Sequence, residues 1–131
     1  MEKKIYLVDT CVFIGAIRGD IKSLNIINEF RGKIVVSVIT EMELYVGAKT
    51  RERKKEIEKQ FSVYTRCDID RSTSQRSLQL IKKYTSQKRQ PQIPDMLIAA
   101  TALENDFILV THNTKDFDFI EHLKILKREG E

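Results

Sequence analysis

The chain has 131 residues, 41% of them hydrophobic and 32% charged, with a formal net charge of +4. That length suits one domain over residues 1–131 with a real core, and the longest nearly apolar run, Met96–Leu103, is far short of the roughly 18 residues that suggest a membrane span. The opening MEKKIYLVDT meets an aspartate after four apolar residues, which excludes a secretory signal and points to the cytoplasm, where Cys11 and Cys67 read as small, buried, reduced residues and not as a zinc site.

In chain order, Lys4–Val8 (KIYLV) is short and nearly uninterrupted, the pattern of a strand covered on both faces. Helical patterns follow over Thr10–Arg18 and Asp20–Phe30, with Thr10 and Asp20 as candidate N-caps and Gly19 and Gly32 as turn residues. Lys33–Val38 (KIVVSV) reads as a second buried strand, and helices are expected over Ile39–Ala48, Thr50–Tyr64 and Ser72–Gln87, with a weaker strand signal in TRCDI near Cys67. Pro94, suited to the first helical position, opens a helix to Asn105; Phe107–Thr111 (FILVT) is a third strand, and LKIL near Ile125 a weak fourth. No repeat or linker interrupts this alternation, which predicts an α/β layer fold around a parallel sheet.

In such folds ligands sit beyond the carboxyl ends of the strands, at the edge where the intervening helices begin. Asp9 directly follows KIYLV, Glu43 lies in the helix after KIVVSV, and Asp116 follows FILVT. Asp95 opens the helix that leads back into FILVT, so it belongs to the same edge, and its helix face carries Ile98, Ala99 and Ala102. Glu41 competes with Glu43. Glu43 falls within about 60° of Ile39 and Val46, on the face that Met42 extends, whereas Glu41 projects from nearly the opposite side, so Glu43 is the inward candidate. Spacing alone does not choose between Asp116 and Asp118.

Clustered carboxylates repel one another and must hold protons or bind cations. Oxygen ligands without an accompanying histidine or cysteine favour Mg²⁺ or Mn²⁺, ions that grip phosphate oxygens and activate water for in-line displacement at a phosphodiester. The basic surplus lies in Lys49–Gln60 and between Arg71 and Arg89; Arg71, Arg76, Lys82 and Lys83 are the candidate contacts to a polyanionic substrate. An acidic pocket within a basic surface suggests a nuclease.

The stretches YLVDTCVFI, SVITEMELYVGA and PDMLIAATALENDFILVTHNTKDF, in that order, resemble the PIN-domain family, and within it the small VapC-like ribonuclease toxins of prokaryotic toxin-antitoxin pairs. The resemblance spans almost the entire chain. It implies a three-layer α/β/α sandwich with a central, mainly parallel sheet, and a Mg²⁺- or Mn²⁺-dependent endoribonuclease. The family's acids fall on Asp9, Glu43, Asp95 and, through the pattern Thr-x-Asn-x-x-Asp-Phe, on Asp116 and not Asp118. Asp9 and Asp95 are then the principal metal ligands, Glu43 and Asp116 complete the pocket, and Thr10, Thr111 and Asn113 are supporting polar positions. A homodimer and an inhibitory antitoxin protein are likewise implied by resemblance. Cys11 and His112 depart from the residues usual at their positions, and His112 is expected at the surface or against RNA. Two other readings share parts of this pattern: a phosphoacceptor receiver, which wants paired acids after the first strand and a lysine after a late one, and a PIN-like RNA-binding scaffold without activity.

Overall fold

A computed structural model describes residues 3–127 of the chain. Strands β1 (Tyr6–Val8), β2 (Ile34–Ser37), β3 (Thr65–Cys67) and β4 (Ile108–Val110) form one sheet in the order β3-β2-β1-β4, and every pairing is parallel. Six helices intervene: α1 (Thr10–Ile17), α2 (Ile21–Glu29), α3 (Val38–Gly47), α4 (Arg51–Phe61), α5 (Arg71–Ser86) and α6 (Ile93–Asn105). Each strand signal that the sequence carries has a counterpart, but the LKIL segment contributes only a single parallel bridge, Leu109 to Ile125, with Leu126 N–H and Lys124 C=O bonded to Leu109. It covers the outer edge of β4 without becoming a strand.

The sheet is buried on both faces because its side chains alternate between two apolar clusters. Tyr6, Val8, Ile34, Val36 and Val110 pack with Val12, Phe13, Ile26, Ile57 and Phe61 of α1, α2 and α4. Leu7, Val35 and Leu109 point the other way, against Leu80 and Tyr84 of α5 and the small inner face of α6, Ile98, Ala99 and Ala102. Helices on both faces of a parallel sheet make the fold a three-layer α/β/α sandwich. Each fully buried Leu or Val contributes roughly 1.5–3 kcal/mol.

Several local details differ from expectation. Asp9, not Thr10, is the N-cap of α1, its carboxylate accepting from the Thr10 N–H, while Asp20 caps α2 as expected. Pro94 takes the second helical position of α6, after Ile93. Cys11 and Cys67 are half-buried rather than buried. Gly19 and Gly32 have φ of +82° and +83°, the left-handed region that favours glycine in turns.

Candidate active site

The strand order reverses at β1, which has β2 on one side and β4 on the other, so the crevice beyond its carboxyl end is where an α/β sheet opens to a ligand. Asp9 stands in that crevice. Only 6% exposed, it receives the Thr10 N–H on Oδ1 at 2.8 Å and the Thr111 hydroxyl, from the end of β4, on Oδ2 at 2.8 Å. Both oxygens are oriented, and Oδ1 retains a lone pair for a further partner, while the Cys11 thiol also approaches Oδ2. Thr111 Oγ1 in turn accepts the Asn113 N–H at 3.0 Å; the Asn113 side chain itself makes no cap to the 3-10 turn Thr114–Asp116.

Glu43 joins through α1. The Thr10 hydroxyl lies 2.7 Å from Glu43 Oε1 and 3.0 Å from the fully buried Thr40 hydroxyl, so α3 is tied to the start of α1 beside Asp9. Helical geometry selects Glu43 over Glu41, but not for the expected reason. Met42 and Val46 are exposed, 56% and 77%, and the buried residues of α3 are Thr40 and Leu44; Glu43 reaches the pocket because it stands one turn beyond Thr40. Glu41 acts elsewhere: the Tyr45 phenol is raised by desolvation, then by Glu58 and Glu41.

Asp95 is half-buried in the first turn of α6, and its carboxyl is pushed up from 3.8 to about 6 by desolvation first, then by the charges of Asp9, Asp116 and Glu43. The charges of three acids distant in sequence therefore reach Asp95 at this edge of the sheet. Asp118 is not among the charges that act on Asp95, whereas Asp116 lines the same cleft as Asp95. Among the described residues no three His, Cys, Asp or Glu side chains stand close enough together to hold a metal ion by themselves. The donor set is nonetheless all oxygen, and the repulsion that raises Asp95 is what a hard cation would relieve, which fits a hydrated Mg²⁺ or Mn²⁺ gripped partly through waters.

Two residues outside the expected set belong to this edge. The Cys11 thiol lies 3.5 Å from Asp9 Oδ2 and 3.4 Å from Thr111 Oγ1 and accepts the His112 N–H at 3.3 Å; burial, then Asp9, pushes its pKa up, so it stays a thiol and braces the two strand ends. His112 is half-buried and its Nε2 lies 2.8 Å from Ser23 Oγ, which donates to Asp20 Oδ2 at 2.8 Å. Because the serine proton is committed to Asp20, the imidazole must be the donor to Ser23, and the chain of bonds latches the loop after β4 to the start of α2. Gly15 makes room for it: a Cβ there would collide with Ser23 Oγ. The expected phosphate contacts lie on α5: Arg71 and Lys82 are exposed, Arg76 is half-buried, and Lys83 Nζ is paired with Glu121 at 3.1 Å.

The PIN domain family model matches residues 6–123. The chain belongs to the PIN-domain family. It is 29% identical over 120 residues to Ribonuclease VapC10 of Mycobacterium tuberculosis, covering 90% of each chain. Among solved structures, a toxin-antitoxin complex from Klebsiella pneumoniae matches with a TM-score of 0.80 and 28% identity, over 93% of this chain and 96% of that one. VapBC2 from Rickettsia felis, bound to a DNA fragment from its promoter, matches with a TM-score of 0.84 at 23% identity, over 95% and 99%, and shares the fold. Within this PIN domain the acidic crevice at the strand switch is the place where the pattern of carboxylates and hydroxyls is concentrated. No helix among the described residues is long and apolar enough to cross a membrane.

Proposed function

We propose that this PIN-domain protein is a Mg²⁺- or Mn²⁺-dependent endoribonuclease, the toxin of a toxin-antitoxin pair, with Asp9, Glu43, Asp95 and Asp116 as its catalytic acids. The observation that carries the reading is that at the switch point of the sheet the charges of Asp9, Asp116 and Glu43 all bear on the partly desolvated carboxyl of Asp95. Each residue has a task. Asp9, held by the Thr10 N–H and the Thr111 hydroxyl, presents its Oδ1 lone pair in a fixed direction, and Glu43 is steadied by Thr10. Asp95, whose carboxyl stands at about 6, is largely ionised at neutral pH and would be held so by positive charge in the pocket, and Asp116, on the exposed turn after β4, closes the side open to solvent. Asp9 and Asp95 would be the principal ligands, with Glu43 and Asp116 completing the set through waters or a second ion. When bound, the ion supplies charge neutralisation at the scissile phosphate and a more acidic water. No side chain is required as nucleophile.

The similarity to a ribonuclease and to a toxin-antitoxin complex supports RNA as substrate and a small antitoxin protein as partner. A homodimer in the cytoplasm completes the reading, with Arg71, Arg76 and Lys82 adding to the field that attracts RNA and the charge of Lys83 offset by Glu121. The test is cleavage of single-stranded RNA by the purified protein with Mg²⁺ or Mn²⁺. We expect cleavage that EDTA abolishes and that is lost in Asp9→Asn and Asp95→Asn; cleavage unaffected by both substitutions would overturn the assignment.

A further inference from the structure

Beside the acidic pocket a cleft of about 360 Å³ brings Lys88, Arg89 and Lys115 together with Asp95 and Asp116. None of these three cations has an ion-pair partner among the described residues, in contrast to Lys83, which Glu121 neutralises. Arg89 is held in place: its guanidinium carbon lies 4.5 Å from the centroid of the Phe119 ring, which packs edge-on against Tyr84. Lys88 is costly where it stands. It follows the end of α5 with φ of +62°, and the bonds from Lys88 N–H to Thr85 C=O and from Arg89 N–H to Tyr84 C=O make the closing turn in which glycine is the favoured residue. A lysine in the left-handed region sacrifices backbone stability there, and Lys88 lines the same cleft as the two carboxylates.

We propose that Lys88, Arg89 and Lys115 form a phosphate-binding subsite that holds the RNA strand flanking the scissile bond along the Asp95 and Asp116 side of the pocket. The inference rests on the ribonuclease reading and specifies where its substrate lies. A planar guanidinium fixed on an aromatic ring suits bidentate contact with a phosphate, and two lysines nearby suit its neighbours along the strand. An acidic peptide fits less well, because the same cleft carries two carboxylates that a nucleic acid meets only through a shared cation.

The experiment compares wild type with Lys88→Gly, Arg89→Ala, Lys115→Ala and, as a control for net charge, Lys33→Ala at the opposite edge of the sheet. A short fluorescent single-stranded RNA is titrated in EDTA over a range of salt, and its cleavage is followed with Mg²⁺. Expected are a KM raised about tenfold by Arg89→Ala with kcat little changed, and a logarithmic salt slope flatter by roughly 0.7 for each phosphate no longer neutralised. Lys88→Gly is expected to bind RNA more weakly yet melt no lower than wild type, which separates weakened recognition from impaired folding. Equal effects from Lys33→Ala and the cleft variants, or cleft variants that weaken a poly-glutamate probe but not RNA, would overturn the subsite. Wild type that cleaves RNA with unaltered KM in the cleft variants refutes this inference alone; wild type that cleaves no RNA refutes the ribonuclease reading beneath it.

Discussion

Replacing Asp95 by asparagine should make the metal-free protein more stable at neutral pH. The Asp95 carboxyl stands at about 6 in the folded chain against an ordinary 3.8, raised by desolvation and then by Asp9, Asp116 and Glu43. Folding therefore favours its protonated form: the stabilising contribution is fully present below 3.8 and is lost as pH rises through about 6. At about 1.4 kcal/mol per pH unit that interval corresponds to about 3 kcal/mol, and for a half-buried group solvent screening roughly halves it. Asparagine forfeits a few tenths through the absent first-turn charge on α6, which leaves a gain of about 1 kcal/mol, or roughly 3–5 °C in Tm. The assay is thermal unfolding in EDTA at pH 4.5 and 7.5, followed by circular dichroism. The two proteins should melt within about a degree of each other at the lower pH and separate at the higher. Added Mg²⁺ should then raise the wild-type Tm more than that of Asp95→Asn, since binding to the folded state stabilises by mass action. A variant that melts lower than wild type at pH 7.5, or by the same offset at both pH values, would refute the shared pocket.

Other expectations follow from individual side chains. Glu43→Gln should reduce RNA cleavage at least about tenfold, equivalent to about 1.4 kcal/mol of barrier, while Glu41→Gln leaves the rate nearly unchanged; equal losses in a single-turnover assay would place the functional face of α3 elsewhere. Thr111→Val removes the hydroxyl that orients Asp9 and should cost about 1 kcal/mol of stability by urea denaturation together with a fall in kcat. Gly15→Ala should destabilise by about 1–3 kcal/mol because its Cβ meets Ser23, and the added change Ser23→Ala should recover part of that loss; strictly additive effects in a double-mutant cycle would place the strain elsewhere.

The acids are legible in the sequence because each follows or precedes a β-branched run whose direction is fixed by its connection to the next, so topology alone carries Asp9, Glu43, Asp95 and Asp116 to one edge. Glu43 illustrates how a proposed site residue can be chosen from an incorrect face. Met42 and Val46 read as inward because they are apolar, yet the inner face of α3 is organised around Thr40, whose hydroxyl meets Thr10. Hydrophobicity does not reveal a buried hydroxyl pair. The latch from His112 through Ser23 to Asp20 is illegible for another reason: His112 and Ser23 are 89 positions apart, and nothing in either local pattern marks them as partners. Lys88 likewise reads as one more basic residue, because its cost becomes visible only with its backbone angle. The cap of α1 shifts by one residue since Asp9 serves both as a helix start and as a site acid, and either Asp9 or Thr10 satisfies the usual pattern.

The strand order has a consequence in time. Thr111 is made 102 residues after Asp9, an interval of roughly 5–20 s of synthesis. Until β4 is made, β1 can have at most β2 beside it, its other edge open, and Asp9 lacks the hydroxyl that aims it. Ribosome-held chains of increasing length should acquire RNA-cleaving activity in one step once β4 has emerged, and activity that grows gradually with length would contradict this. If the proposed ribonuclease activity depends on an aimed Asp9, a chain built in this order acquires it only when its last strand is in place.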